Sequence, residues 1–173
     1  MLLIFNMKKC FILLSLFLSS CIAPTHQDAK VIPVNKTNTL DVIGKLEPIY
    51  ILPINVPFEA RIDTGAQTSS IDAQNIKSFE RDGEKWVSFE IVNDTSLEKH
   101  HFEKKIKRRT LITRTHKDEK RFVVEMDVKF ANKIFQQEFS LNDREKFEYQ
   151  VLIGRNILKG NFIVDVSVDH TYY

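Results

Sequence analysis

Cysteine is nearly missing: the 173 residues hold two, Cys10 and Cys21, so nothing beyond position 21 can form a disulfide, a cysteine zinc site or a thiol nucleophile. Glycine and proline are scarce too, at five each, which excludes collagen-like and low-complexity material. The apolar run from Phe11 to Leu18 is too short to cross a bilayer as a helix. Neither sign of charge dominates, with a formal net of +2, and bulk nucleic-acid binding is not indicated. A Gly-x-x-x-x-Gly-Lys loop and a His-Glu-x-x-His helix are both lacking, so the reading includes no nucleotide, no metal and no other cofactor.

What is there begins with an export signal. Lys8 and Lys9 precede the apolar run, which ends in Leu18-Ser19-Ser20-Cys21. This tetrapeptide resembles the lipobox of bacterial lipoproteins, whose cysteine is lipidated and becomes the new N-terminus. Residues 1–20 are accordingly read as a lipoprotein signal peptide, 21–41 as a lipidated N-terminus and flexible tether, and 42–173 as the folded domain. Ile22 follows the cysteine where an Asp would favour inner-membrane retention, so the expected place is the outer membrane, facing the periplasm. Removing the signal takes away two lysines and no acid, bringing Lys+Arg from 25 to 23 against 23 Asp+Glu.

Beyond the tether, short runs rich in β-branched and aromatic residues recur: Ile49 to Leu52, Val56 to Ile62, Trp86 to Val92, Thr110 to Thr115, Phe122 to Phe130, Ile134 to Leu141, Val151 to Ile153 and Phe162 to Val168. Val124, Met126, Val128 and Phe130 alternate with Glu125, Asp127 and Lys129, the period of a strand with one buried face. Only Ile71 to Phe79 and Arg155 to Leu158 read as short helical pieces. The class is all-β: a small closed or partly closed barrel, or a sandwich. Ten Lys/Arg residues against four acids fall between Glu98 and Arg121. They suit a solvated hairpin with charged edge strands, or a surface that attracts anionic lipid or acidic substrate.

One turn carries candidate chemistry. Phe58 to Ile62 runs directly into Asp63-Thr64-Gly65-Ala66, where a glycine just after the acid lets backbone amides approach the carboxylate. Asp-Thr-Gly or its Ser variant arises by chance in roughly one chain in fifteen of this length, so the triplet alone identifies nothing. A second element, Val151-Leu152-Ile153-Gly154-Arg155-Asn156-Ile157-Leu158, adds an apolar strand, a glycine and a short turn.

Together the two elements resemble the retropepsins, the retroviral-type aspartic proteases. Four ordered groups, Ala60 to Ala66 with Thr68-Ser69-Ser70, Leu141-Asn142-Asp143-Arg144, Leu152 to Arg155, and Val164-Asp165-Val166, resemble more closely a bacterial retropepsin-like family often labelled ATP-dependent zinc proteases. Some members of that family accompany glutamate ligases. The resemblance implies a barrel of the retropepsin type with one or two short helices. It also implies peptide hydrolysis by water that Asp63 activates, with Thr64, Gly65 and Ala66 supporting the turn and Gly154 and Arg155 packing beside it. Gln67 stands where the viral enzymes carry an acid that pairs the arginine, so Asp143 or Asp165 is the expected partner of Arg155.

Metal-free hydrolysis needs one carboxylate as base and a second, protonated one as acid. A homodimer donating two copies of Asp63 is the economical source. Asp143, Arg144 and Asp165 offer a second acid or a structural ion pair. The segment 98–121 has room to form a flap over a peptide or protein substrate. The alternative is a non-catalytic envelope lipoprotein that binds peptides or anionic polymers on the same barrel.

Overall fold

A computed structural model describes residues 39–113, 118–144 and 146–172. The signal segment, Cys21 and nearly all of the tether lie outside the described residues, as does the tip of the basic run at 114–117. The strands are β1 (Asp41–Ile43), β2 (Leu46–Ile51), β3 (Phe58–Ile62), β4 (Ser69–Asp72), β5 (Gln74–Arg81), β6 (Glu84–Val92), β7 (Lys99–Thr113), β8 (Asp118–Phe130), β9 (Lys133–Asn142), β10 (Val151–Ile153) and β11 (Phe162–Val164), with one helical turn, α1 (Arg155–Leu158). The first strand opens at Asp41, one residue inside the span read as tether.

The fold is all-β and closes on itself. Strands run in the order β2-β3-β10-β4-β9-β8, and β8 returns to pair with β2, making a six-stranded barrel. Closure removes the free edges of those strands, a standard hazard of open sheets. The alternation read in β8 fixes its register, because a slip by one residue would turn Glu125 and Asp127 inward. Val124, Met126 and Val128 are fully buried, as are Ile49 and Ile51 on the β2 side of the closing seam. Each such side chain contributes roughly 1.5–3 kcal/mol of burial.

Outside the barrel β8 continues into a ribbon, β7-β6-β5. Asp82 and Gly83, both at positive φ, turn β5 into β6, and Ala131 and Asn132 do the same between β8 and β9. Two-residue turns of this kind match the twist of the strands they join, and Asp-Gly is their strongest sequence signal. The charged run forms a hairpin, as expected: β7 is bonded to β6 through residues 99–105 and to β8 from Ile106 onward, so each half of β7 has a strand partner on one side and an edge on the other.

The helical reading of Ile71 to Phe79 is also corrected, since this stretch belongs to β4 and β5. All four residues of β4 are buried between β9 and β10. A strand covered on both faces loses its alternation and cannot be told from a buried helical turn by period alone. Arg155 to Leu158 is helical as read.

Candidate functional site

Asp63 leaves the end of β3 beside β10, and its amide donates to the Ile153 carbonyl (2.9 Å). Its Oδ1 accepts from the amides of Gly65 (2.8 Å) and Ala66 (3.1 Å), so the carboxylate is held by its own turn. Glycine at 65 eases this close approach: a Cβ there would lie 3.1 Å from Oδ1, so the carboxylate would have to give way slightly. The half-buried carboxylate is therefore aimed, with Thr64 and Gly65 exposed around it.

A second loop locks the turn. Arg155 donates its amide to the Ala66 carbonyl (2.9 Å) and its Nη1 to the carbonyls of Thr64 (3.0 Å) and Gly65 (2.7 Å). Its expected carboxylate partner is corrected accordingly: main-chain carbonyls take the guanidinium, which explains how a neutral Gln67 is tolerated. Asp165 instead binds the amide and hydroxyl of Ser167 (2.9 and 2.6 Å), which hold it below the usual carboxylate range. Gly154 sits directly against the loop and donates its amide to Ser69 Oγ (3.0 Å). That hydroxyl and the Ser69 amide both donate to Asn156 Oδ1 (2.8 Å each), while Asn156 Nδ2 donates to the Glu138 carbonyl (2.9 Å). Asn156 thus ties the Asp63 loop, α1 and β9 together.

Arg144 is buried and ties the end of β9 back to β4. Its amide donates to Asp72 Oδ1 (2.6 Å), Nε to the Tyr149 carbonyl (2.9 Å) and Nη1 to Ser70 Oγ (3.0 Å). Asp72 is raised above the usual carboxylate range, first by burial, with the nearby charges of Asp143 and Asp94 adding to it against the bond from Arg144. A carboxyl with a raised native pKa favours folding at acid pH, and that contribution is lost as pH climbs through the native value. Asp72→Asn keeps an acceptor for the Arg144 amide and removes the titration. Its midpoint of thermal unfolding is expected to rise relative to wild type as pH increases from about 3.8 toward neutrality. A difference between the two proteins that stays constant with pH would rule this out.

Beside the Asp63 turn lies a cleft of about 280 Å³. It is lined by Ser70, Ser140 and Leu152, by Ala66 to Thr68 after the turn, and by Arg108 and Thr110 of β7 and Arg121 of β8. Arg144 completes it. Arg121 and Arg144 are only 8% and 7% exposed, whereas Arg108 is at the rim. Sequence reasoning placed Arg108 and Arg121 in a charged run without separating them from their neighbours. The signal that could have done so is the spacing of β7 and β8, which puts Thr110 opposite Arg121. Among the described residues no group of three or more His, Cys, Asp or Glu side chains is placed to hold a metal ion.

The chemistry available is anion recognition. Guanidinium groups keep their charge at any working pH, and their planar fork matches a carboxylate. Among the described residues the Asp63 side chain accepts from the amides of its own turn.

Comparison with known proteins adds three findings. Probable alpha-L-glutamate ligases of Shewanella pealeana and Desulfotalea psychrophila are 35% and 33% identical to the chain over 130 and 132 residues. The match takes in 73% of this chain but 28% of each ligase, so the chain spans little more than a quarter of the length of these curated relatives. A solved structure of a Legionella pneumophila protein of unknown function superposes with a TM-score of 0.67 at 28% identity, over 77% of this chain and 98% of that one. The expectation of an aspartic peptidase acting through Asp63 is overturned by the relatives' names, which describe a ligase, a different class of enzyme. The fold expectation stands, and the model of a family described as retropepsin-like aspartic endopeptidase RimB matches residues 42–172. With a retropepsin-type barrel, an Asp-Thr-Gly turn locked by Gly-Arg-Asn and a family match over nearly all its described length, the chain belongs to the RimB-like family.

Proposed function

We propose that the domain binds glutamate-rich chains in the arginine-lined cleft beside the Asp63 turn. The observation that carries this reading is the burial of Arg121 and Arg144 in one cleft with the rim residue Arg108. A guanidinium meets a carboxylate with two parallel N–H···O bonds, so three of them lining one cleft offer an acidic side chain its matching group. Ser70, Thr68 and Thr110 line the same space and offer hydroxyl donors for further oxygens. The relatives' names, probable alpha-L-glutamate ligases, favour glutamate as the source of the carboxylate. The lipid anchor at Cys21 is part of the same proposal and would hold the cleft at a membrane surface.

Calorimetric titration with α-linked tetraglutamate and with tetra-alanine tests the reading. Tetraglutamate is expected to bind, with an affinity that falls as salt is added, and tetra-alanine is not. Arg121→Met is expected to weaken tetraglutamate binding about tenfold, and Arg121→Lys to recover only part of that loss, because an ammonium lacks the fork. Equal binding of the two peptides, or an Arg121→Met protein that binds as wild type does, would exclude the proposal.

A further inference from the structure

The rim of the cleft already holds a glutamate. Arg108 directs Nε and Nη2 to the same oxygen of Glu138, Oε2, each at 2.9 Å, and Nη2 also donates to Thr68 Oγ1 at 3.0 Å. Two donors on one oxygen leave the two-oxygen match between guanidinium and carboxylate unused, and both side chains are substantially exposed. Pairs of this kind are weak and exchange readily. Glu138, however, is not free to drift away. Its carbonyl accepts from Asn156 Nδ2, its strand is bonded on both sides by β8 and β4, and Glu125 stands opposite it across the β8–β9 pair. Like charges directly opposed on a sheet repel, and each of these is neutralised by its own cation, Lys107 for Glu125 and Arg108 for Glu138.

We infer that Glu138 is an internal competitor, occupying Arg108 with the same chemical group that a glutamyl chain would present and so setting the affinity and the selectivity of the cleft. This inference rests on the proposed binding of glutamate-rich chains. A ligand carboxylate that offers Arg108 two oxygens displaces Glu138 from the guanidinium, while a neutral side chain offers nothing in exchange. Because Glu138 remains at the cleft mouth after displacement, it rebinds whenever the ligand lets go, and its local concentration is always high. The cleft therefore rejects peptides that present too few carboxylates to win the exchange.

Tetraglutamate titration of five proteins, wild type, Glu138→Gln, Glu125→Gln, Arg108→Ala and the Arg108→Ala/Glu138→Gln double variant, separates this from simple charge effects. Glu138→Gln is expected to tighten binding about three- to five-fold, the range that an exposed ion pair supplies. Glu125→Gln removes the same charge one strand away and is expected to change affinity less than about two-fold. In an Arg108→Ala background, Glu138→Gln should add nothing. Equal tightening by Glu125→Gln would overturn the inference, as would unchanged affinity in Glu138→Gln or a full gain surviving without Arg108, in each case with wild type still binding tetraglutamate. Absence of tetraglutamate binding by all of the proteins would instead remove the reading of the cleft on which the inference stands.

Discussion

Replacing Gly154 by alanine is expected to destabilise the domain by about 2–3 kcal/mol, the usual range for forcing atoms into a packed site. A Cβ at this position would lie 2.9 Å from the carbonyl carbon of Thr68, 3.0 Å from the Ala66 oxygen and 3.1 Å from the Ser69 nitrogen. All three are main-chain atoms, so no rotamer change can make room. Relief requires β10 to move away from the Asp63 loop, which would strain the bonds from Gly154 to Ser69 and from Arg155 to Ala66. Gly160 provides the comparison: its φ is positive but nothing lies within 4 Å of an added Cβ. Gly160→Ala should therefore cost only the backbone penalty of roughly 1 kcal/mol. Urea unfolding of both variants checks the difference, and a Gly154→Ala protein with wild-type stability would mean that the loop is not packed as described.

Glu47→Ala is expected to cost about 3 kcal/mol and to release the end of the domain. Glu47 is fully buried, and its carboxylate accepts three main-chain amides: Gly44 at 2.6 Å, Thr171 at 2.9 Å and Tyr172 at 3.0 Å. Amide bonds to a carboxylate are among the stronger ones, and removing the acceptor leaves the buried Gly44 amide unsatisfied and frees those of Thr171 and Tyr172. The effect should be uneven. Amide exchange at Gly44, Thr171 and Tyr172 is expected to accelerate far more than at Val124 or Met126 in the barrel wall. If the three amides stayed as protected as in wild type, the carboxylate would not be what holds residues 171 and 172 in place.

The half-covered strands were open to sequence reasoning and the fully covered one was not. β8 announces itself because one face meets the core and the other meets water, so its residues alternate. β4 has no such contrast, with Ser69, Ser70, Ile71 and Asp72 all buried, and its serines and aspartate are there to make specific bonds. The Asp63 turn and the Gly154 loop were legible as a pair because both are short, ordered in the chain and rich in residues with special backbone demands. Their coupling through Asn156 was not, since an amide that bridges three elements looks in one dimension like any other polar residue. The arginine cleft was hidden for a related reason. Arg121 is buried while Lys120 beside it is exposed, and a strand separates such neighbours by direction alone.

The distance along the chain between the two halves of the Asp63 site governs how the protein can be made. Arg155 reaches back across 90 residues to bond the Gly65 carbonyl, and β10 contributes three residues wedged between β3 and β4. During synthesis the ribosome delivers the aspartate turn early, and it must wait for almost the entire remainder of the polypeptide before its clamp emerges. A nascent chain halted before residue 151 would carry the ribbon and an unfinished cylinder that lacks the strand between β3 and β4, so truncation there removes the site wholesale and spares no partial version of it.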